Sequence, residues 1–598
     1  MRPRPPRKHR RARPPAAPPE AAAASEKTGA ARAAVLIFLG LLAVYCSNLR
    51  VLGPGDSLPT RVLPFSILRE GNLDLNEFTW ERTRSGRLPY YLHGTGTHLY
   101  SVSTIATPLV VTPLYIVPAW LLAHYSIPYD DVRARVLIVV MERLSAAILT
   151  ALSALLVFLT LDRLVSRNWA IALTLVYGLG TSAWSISSQA LWPHALAALS
   201  LSVLCWVFLT PGRGSLSFAL AGLAAALGVA NRPPMIVFAA LAAFLIWRGN
   251  RARFVAFAVL PALGGAALLA YNISVFHAVA GGYMRLNHFS STVLEGIAGL
   301  LVSPNRGLFI YTPVMIFAFW GAVRVWRERA PEWMRLLVVG LGLHVLIYGA
   351  FGEWWAGYTF GPRYFCDVLP ALTLLLAYGL VPFWRRPAWR AVAAVLIAYG
   401  VAVQAVGVYF ADDDWNRTPV PLELRPQRVW DWSDLQIARA MASGFKGTEL
   451  APLLAGVARD PRPVPLAPLT ANDLAAEIES TDGVATMRRG STREVVVHVT
   501  NRSDKPWPSF SGDGQIYVRH LVVLVARWLA DGQPLAGMGD VVRLPSNVAP
   551  GDRADVPLRL TAPPRPGAYE IDVHVTQALD GEHGVAGPNG LKFPMRVE

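Results

Sequence analysis

A carboxylate and a guanidinium lie close together in the stretch that follows the first long apolar segment of the chain. Asp56 stands in the run Gly53–Ser57, and Arg61 follows before an amphipathic piece at 66–75. A carboxylate beside a membrane surface can accept a proton as a general base, and a neighbouring guanidinium can keep it ionised. The run Gly-Pro-Gly-Asp-Ser is also typical of a turn, in which Asp is common. Asp56 is the candidate base, and a turn residue is the competing interpretation.

Two further acids, Asp74 and Glu77, follow in the same loop. They lie further from the end of the apolar segment, and we expect them to face solvent. They are alternative bases. Arg61 is a candidate for binding the substrate as well as for pairing with Asp56, since a guanidinium matches anionic groups.

Other polar residues cluster in the loops between later apolar segments. His194 follows Gln-Ala-Leu-Trp-Pro, Tyr283 and Arg285 lie in a long loop, and Asn305 and Arg306 precede another apolar segment. The structural alternatives are a hydrogen-bonding His and helix capping by Ser or Asn. All five residues are candidates for binding the substrate.

The richest polar cluster is the run from Gly352 to Tyr364. It contains Glu353, Trp354 and Arg363, together with several glycines and further aromatic residues. Aromatic side chains are common where helices meet the membrane surface, which is the structural interpretation. Charges at a membrane edge are costly and are usually functional. Glu353, Trp354, Arg363 and Tyr364 are therefore candidates for binding a sugar or a lipid carrier.

These candidates belong to a membrane protein. Of 598 residues, 53% are apolar and 16% are charged, against about 25% charged in globular proteins. The net charge of +15 does not indicate a nucleic-acid partner, because the basic residues gather in the first residues and between apolar segments. Cys46, Cys205 and Cys366 lack metal-ligand spacing. The sequence indicates no cofactor, and a divalent metal is possible but not indicated.

The apolar pattern predicts eleven membrane spans. Residues 1–31 are rich in Arg, Pro and Ala and are predicted to be disordered. A secretory signal is the alternative, but no small-residue cleavage site follows, so Ala33–Leu49 is predicted to be an uncleaved first span. The other predicted spans are 137–161, 169–187, 194–210, 215–231, 234–247, 254–276, 308–323, 336–351, 364–384 and 391–410.

The segment Ser101–Tyr125 is apolar enough to cross as well, but three prolines interrupt it. The arginines decide its placement. If it does not cross, thirteen of them fall in cytoplasmic loops and six in later outer loops, whereas a crossing reverses the two sets. Basic residues favour the cytoplasmic side. The segment is therefore predicted to be re-entrant or interfacial, with the N-terminus inside and the C-terminus outside. The thirteen are Arg163, Arg167, Arg213, Arg248, Arg251, Arg253, Arg324, Arg327, Arg329, Arg335, Arg385, Arg386 and Arg390.

The composition changes after the last apolar segment. An amphipathic piece at Ser433–Ser443 leads into a Pro-rich linker, and alternating strand-like runs with Pro-Gly and Asp-Gly turns follow. Short strands of this kind predict a β-sandwich. The predicted units are a basic tail at 1–31, a transmembrane domain at 32–411 with its first outer loop at 50–136, a linker at 412–473 and a sandwich at 474–598.

Residues 33–411 resemble the GT-C superfamily of membrane glycosyltransferases, including bacterial protein mannosyltransferases and aminoarabinose transferases. The resemblance rests on Gly55–Ser57, Met141–Ser145, Ser303–Thr312 and Gly361–Tyr364. It implies a bacterial inner-membrane enzyme with Asp56 as its base. The chain departs from the family by having one acid here rather than an adjacent acidic pair. The C-terminal region resembles Ig-like accessory domains, which indicate no activity.

The resemblance implies transfer of a sugar from a polyprenyl-phosphate donor to an extracytoplasmic glycan, lipid or protein. Polyprenyl phosphate is a good leaving group, so one base can suffice, and a single in-line displacement inverts the sugar carbon. The partners are then the donor, the acceptor and the lipid bilayer. A transporter or flippase is one alternative, which predicts inverted repeats and charges at mid-membrane. A non-catalytic protein for assembly of envelope polysaccharide is the other.

Overall fold

The computed structural model describes most of the chain. The described residues are 19–48, 50, 57–78, 91–95, 98–129, 131–282, 289, 292–412, 414–418, 422, 425–446, 467–480, 486–508, 520–544, 547–578 and 584–598. The fold is mainly helical up to residue 442, with one β-hairpin between residues 92 and 101, and the other described strands follow. This confirms the predicted class of a helical protein with a C-terminal β region.

Eighteen α-helices lie in the described part of the chain. They are α1 Pro19–Cys46, α2 Leu58–Arg69, α3 Ala106–Val111, α4 Ile116–His124, α5 Val132–Leu164, α6 Arg167–Leu179, α7 Pro193–Leu209, α8 Ser215–Asn231, α9 Ile236–Gly249, α10 Arg251–Phe276, α11 Val293–Val302, α12 Leu308–Tyr311, α13 Ile316–Arg327, α14 Glu332–Gly349, α15 Leu369–Phe383, α16 Pro387–Tyr409, α17 Asp414–Arg417 and α18 Gln436–Ala442. The first helix begins before the predicted start at Ala33. An alanine-rich stretch precedes that residue, and alanine has the highest helix propensity.

Within the described residues, seven helical segments are long and apolar enough to cross a membrane, and four shorter apolar helices accompany them. The chain is therefore treated as a membrane-spanning protein, and the number of eleven spans stays a prediction. Ala106–His124 is one of the seven. It consists of α3, a 3₁₀ turn at Thr112–Tyr115 and α4, and its prolines account for the breaks. Whether this segment crosses also stays a prediction.

Reporter fusions test the predicted topology. We expect fusions after Arg253 and Arg329 to report the cytoplasm and a fusion after Glu598 to report the outside, because arginines concentrate in the loops of one face. A cytoplasmic C-terminus would contradict the scheme and make Ala106–His124 a span.

The helices differ sharply in burial. Arg363–Phe383, which contains α15, lies almost entirely inside the bundle, whereas α10 is exposed along nearly its whole length. Glycines allow the closest helix contact. A Cβ at Gly379 of α15 would lie 1.8 Å from the Phe317 carbonyl oxygen of α13, so any larger residue there would push the helices apart. α15 is the centre of the bundle, and α10 is an exposed edge of it.

The described part of the first outer loop packs around a core of its own. The hairpin of β1 Leu92–Thr95 and β2 His98–Ser101 lies in this loop with α2, α3 and α4. Apolar residues of these elements share one cluster, which includes Phe65 and Tyr115 with their rings 5.1 Å apart. The cluster extends to α5 and α7. The loop is therefore packed against the N-terminal halves of α5 and α7.

Two β-sheets form the described part of the C-terminal region. The strands are β3 Ala476–Ser480, β4 Thr486–Met487, β5 Thr492–Asn501, β6 Val522–Ala530, β7 Gln533–Arg543, β8 Arg553–Thr561, β9 Gly567–Gln577 and β10 Val585–Val597. One sheet has the order β4-β10-β9-β6-β7 and the other β3-β5-β8. Inward residues of both sheets share one core around Trp507 and Trp528. The predicted turn at Asp531-Gly532 joins β6 to β7, with positive φ at both residues, as a type I′ hairpin turn requires.

A fragment of residues 467–598 is expected to be soluble and rich in β structure by circular dichroism. Leu469 and Leu474 belong to the sandwich core, so the fragment must begin before the predicted boundary at 474. A control that starts at Ala476 lacks both side chains. It should unfold at a lower urea concentration, because each lost leucine lowers the free energy of unfolding by about 1.5–3 kcal/mol. A disordered spectrum of the longer fragment would contradict an autonomous fold.

Candidate functional site

A buried carboxylate joins the ends of four helical segments. Asp367 lies at the end of a 3₁₀ helix, Arg363–Val368, that leads into α15. Its Oδ1 is 2.7 Å from Nδ1 of His194. Its Oδ2 is 3.2 Å from Nε of Arg232 and 3.2 Å from the hydroxyl of Tyr348. All four side chains are buried. We call Asp367, His194, Arg232 and Tyr348 the buried network.

Local sequence places each member at a helix end. Pro193 is the first residue of α7, where its fixed φ favours helix initiation, and His194 therefore lies in the first turn. Arg232 directly follows α8 and precedes Pro233 and Pro234, which fix the direction of the loop. Tyr348 is near the end of α14. The network ties helices that are far apart in sequence to one face of the bundle.

The chemistry of the network follows from its donors and acceptors. An ionised carboxylate only accepts hydrogen bonds, so Nδ1 of His194 donates to Asp367, and Nε2 of a neutral ring is left as an acceptor. The guanidinium of Arg232 balances the carboxylate and also donates to the Tyr348 hydroxyl. A buried charge pair is costly to break, because the remaining partner stays buried without compensation. The buried network therefore holds the helix ends that carry its four residues firmly together.

Arg363 lies at the edge of this network. Its guanidinium is 4.6 Å from the centre of the Trp192 ring and 5.8 Å from that of Tyr364. Tyr364 stacks on Tyr348 with their centres 4.1 Å apart. Arg363 is half-buried. The structure thus brings His194 close to Arg363 and Tyr364, which the sequence placed in a different cluster.

The 188–194 loop, whose last two residues begin α7, connects this network to the first outer loop. Arg61 of α2 forms a buried ion pair with Glu142 of α5, with 3.1 Å between nitrogen and oxygen. The other oxygen of Glu142 is 3.3 Å from the backbone nitrogen of Leu191, next to Trp192. One end of this loop is therefore fixed by α2 and α5, while Trp192 lies against Arg363.

The side chains of Arg143 and Asn48 also hold this loop in place. The side chain of Arg143 donates to the Gln189 side-chain oxygen at 2.7 Å and also to the Asn48 side chain. The Asn48 amide donates to Gln189 at 2.7 Å. These contacts join the end of α1, α5 and the 188–194 loop. The position of Trp192 is therefore set by several helices.

Asn305 and Arg306 contact the segment after α16. Arg306 donates to the Gln436 side chain at 2.8 Å and to the Asn416 side chain at 2.7 Å. The Asn305 side chain accepts from the backbone nitrogen of Gln436 at 2.6 Å. Both residues are buried. These contacts dock α18 and its neighbours on the bundle, and a role in substrate binding stays a prediction for both residues.

Glu353 and Trp354 have different surroundings. Glu353 is exposed, and its backbone oxygen is 3.4 Å from the Tyr364 hydroxyl. Trp354 is buried and packs near Trp430, with 5.8 Å between ring centres. Gly299 makes room for it, since a Cβ there would lie 2.1 Å from the Trp354 ring. Trp354 therefore packs inside the fold, and its binding role stays a prediction.

Three predicted site residues, Asp56, Tyr283 and Arg285, lie outside the described residues. Asp56 directly precedes Ser57, the buried residue before α2. This places the chain at 57 at the start of the helix that carries Arg61. The role of Asp56 stays a prediction.

The alternative acids are not where the sequence suggested. Asp74 was expected to face solvent, which is wrong, because it is buried and its Oδ2 is 2.7 Å from Nδ1 of His98. His98, on the β1–β2 hairpin, covers the Asp74 carboxylate. Glu77 is half-buried, and this burial raises the pKa of its carboxyl. Among the described residues, no group of three His, Cys, Asp or Glu could hold a metal ion.

Sequence reasoning missed Asp367, Tyr348 and the role of Arg232. Asp367 is the single acid in the apolar segment 364–384, and a lone charge in such a segment is a usable signal. Arg232 directly follows the predicted span 215–231 and was not among the proposed site residues. Tyr348 gives no signal, because a tyrosine near a helix end is typical of the membrane interface.

Comparison with known proteins gives only coarse similarity. No family model matches the chain, and no curated protein matches it. The solved structures include the Archaeoglobus fulgidus oligosaccharyltransferase tethered to an acceptor peptide, at 12% identity and TM-score 0.38, covering 71% of this chain and 56% of that chain. The same enzyme with zinc and sulfate gives TM-score 0.37 at 12% identity, covering 67% of this chain and 57% of that chain. A family 123 glycoside hydrolase from Clostridium perfringens overlaps at TM-score 0.14 and 15% identity, covering 21% of this chain and 27% of that chain.

This chain therefore spans a little over half of the oligosaccharyltransferase and about a quarter of the hydrolase. At these scores, the overlaps transfer no activity to it.

Proposed function

We propose that the chain is a membrane glycosyltransferase that moves a sugar from a polyprenyl-phosphate donor to an extracytoplasmic acceptor. One observation carries the proposal. The 188–194 loop contacts Glu142, the partner of Arg61 on α2, through Leu191, and it contacts Arg363 through Trp192. The helix that follows Asp56 and the arginine proposed for phosphate binding are thus attached to one short loop.

The proposed reaction needs one base and one cation. The acceptor hydroxyl attacks the anomeric carbon of the sugar, and the bond from that carbon to the phosphate oxygen breaks. Polyprenyl phosphate leaves with the bonding electrons, and the acceptor proton passes to Asp56. The guanidinium of Arg363 compensates the charge of the departing phosphate. A single displacement from the opposite face inverts the anomeric carbon.

The buried network supplies rigidity rather than chemistry in this proposal. Tyr364 stacks on Tyr348, which hydrogen-bonds to Asp367, so the backbone that carries Arg363 is anchored to a buried ion pair. A group that is held in place before the substrate binds stabilises developing charge without reorganisation. This arrangement supports Arg363 as the phosphate contact.

Arg363→Lys tests the assignment directly. A lysine keeps the charge but loses the flat guanidinium that binds two phosphate oxygens and lies against Trp192. We expect transfer from a labelled polyprenyl-phosphate sugar to fall about tenfold, mainly through weaker use of the donor. Arg390→Lys, an exposed site in the first turn of α16, is the matched control and should not change transfer. Equal activity of both variants would contradict the role of Arg363.

The assay also tests the proposed function as a whole. Membranes that contain the wild-type chain should produce glycosylated material from a labelled donor. Movement of an intact labelled lipid between leaflets without transfer would favour a flippase. If the chain neither transfers the sugar nor moves the lipid, a non-catalytic assembly role is favoured.

A further inference from the structure

A cavity of about 380 Å³ lies at the ends of α7 and α9 and the starts of α8 and α10. The loop after α7 contributes Arg213, and the first turn of α10 contributes Arg253. Under the predicted topology this is the cytoplasmic face, opposite the buried network. The cavity is therefore separate from the site proposed for sugar transfer.

The cavity is cationic without a balancing acid. In the described part of the chain, neither Arg213 nor Arg253 forms an ion pair with a carboxylate, although each stacks on an aromatic ring. Arg213 lies 3.6 Å from the centre of the Trp206 ring, and Arg253 lies 5.3 Å from that of Phe218. Stacking holds the guanidinium planes and leaves their edges for hydrogen bonds.

Two polar atoms of the lining are buried without a hydrogen-bond partner. They are Nε of Arg213 and Oγ1 of Thr210. Buried polar groups in proteins nearly always have a partner. Burial, and then the nearby charge of Arg163, lower the pKa of Arg213. An anion in the cavity would offset both effects and supply acceptors for the two atoms.

One helix start adds to the same potential. α8 begins at Ser215 after Gly214, which has no side chain to cap it, whereas the start of α10 is already capped, because the Asn250 side chain accepts a hydrogen bond from the backbone nitrogen of Arg253. The first backbone N–H groups of a helix favour an anion. The cavity therefore combines two guanidinium groups and a threonine hydroxyl near the uncapped start of α8.

The remaining wall is apolar. Phe208, Leu245 and Ile246 line the cavity. Under the predicted topology the cavity lies at the cytoplasmic ends of the helices, which is the level of the lipid headgroups of that leaflet. A ligand with a charged head and apolar chains can place the head in the cavity and the chains in the leaflet.

We propose that this cavity binds the phosphate headgroup of an anionic phospholipid from the adjacent leaflet. The phosphate lies between Arg213 and Arg253, and the acyl chains extend into the leaflet. The chemistry selects a net negative headgroup over a zwitterionic one, because two unpaired guanidinium groups face it.

Native mass spectrometry of the purified full chain tests the site. The wild type is compared with R213Q/R253Q in detergent, after addition of phosphatidylglycerol, phosphatidylcholine or inorganic phosphate. R251Q/R327Q is the matched control, since it removes two exposed arginines of the same face that do not line the cavity. We expect the cavity variant to retain about tenfold less phosphatidylglycerol and the control to stay within about twofold of the wild type.

A second variant separates the cavity from general surface charge. A Cβ at Gly249 would meet nothing within 4 Å, so Gly249→Phe places a ring at the cavity and keeps both arginines. This variant should lose phosphatidylglycerol as R213Q/R253Q does. Equal retention by the cavity and control variants, equal binding of phosphatidylcholine, or full displacement of the lipid by free phosphate would each overturn the proposal.

Discussion

Replacing Asp56 by Asn is expected to abolish sugar transfer while leaving the donor bound. The substitution removes the proposed base but hardly changes the shape of the side chain, so only the proton transfer is lost. Loss of a general base typically lowers a rate by about 10²–10⁴-fold. Transfer from a labelled polyprenyl-phosphate sugar measures the first effect, and retention of the donor by the purified chain measures the second.

The control for this experiment is Glu70→Gln. Glu70 is exposed and directly follows α2, so the variant removes a carboxylate from the other end of the same helix. Its activity should match that of the wild type. Full activity of Asp56→Asn would show that the base is elsewhere, and Asp74, Glu77 and Glu353 would be tested next. Of these, Glu77 has a pKa raised by burial, which suits a group that must accept a proton.

Replacing Asp367 by Ala is expected to cause the largest loss of stability of any single substitution proposed for this chain. It removes the acceptor of His194, Arg232 and Tyr348 and leaves the Arg232 guanidinium buried. Breaking a buried pair in this way costs about 3–5 kcal/mol. The purified variant in detergent should show a clearly lower Tm.

An exposed ion pair gives the reference for this measurement. Glu332 pairs with Arg248 at 3.2 Å, and both side chains are largely exposed. Glu332→Gln should change the free energy of unfolding by only about 0–1 kcal/mol. Similar Tm values for the Asp367 and Glu332 variants would mean that the buried network does not stabilise the bundle.

A comparison of Asp367→Ala with Arg363→Lys separates stability from function. Asp367→Ala should reduce transfer through loss of folded protein and through movement of the segment that carries Arg363. Arg363→Lys should reduce transfer at an unchanged Tm, because its side chain is only half-buried. Loss of activity without loss of stability in Asp367→Ala would instead place the carboxylate among the groups that contact substrate.

Several elements were predictable because their signals are local. The start of α8 and its end at Asn231 coincide with the predicted segment 215–231, since an apolar run between a Gly-rich turn and a proline pair leaves little choice. The turn at Asp531-Gly532 was predictable for the same reason, because Gly readily adopts positive φ and Asp tolerates it. The start of α1 was misplaced, because a polar alanine-rich stretch can continue a helix beyond its apolar part.

The sequence by itself determined that the chain is apolar enough for repeated membrane spans, that its arginines are distributed asymmetrically and that a strand-rich region follows. Each of these properties follows from the composition and order of nearby residues, whichever segments pack together. Only the tertiary structure decided which polar residues meet. His194 and Asp367 are 173 positions apart, and Arg61 and Glu142 are 81 positions apart. Their pairing depends on which helix ends pack together, and helix packing is set by side-chain shape across the whole bundle.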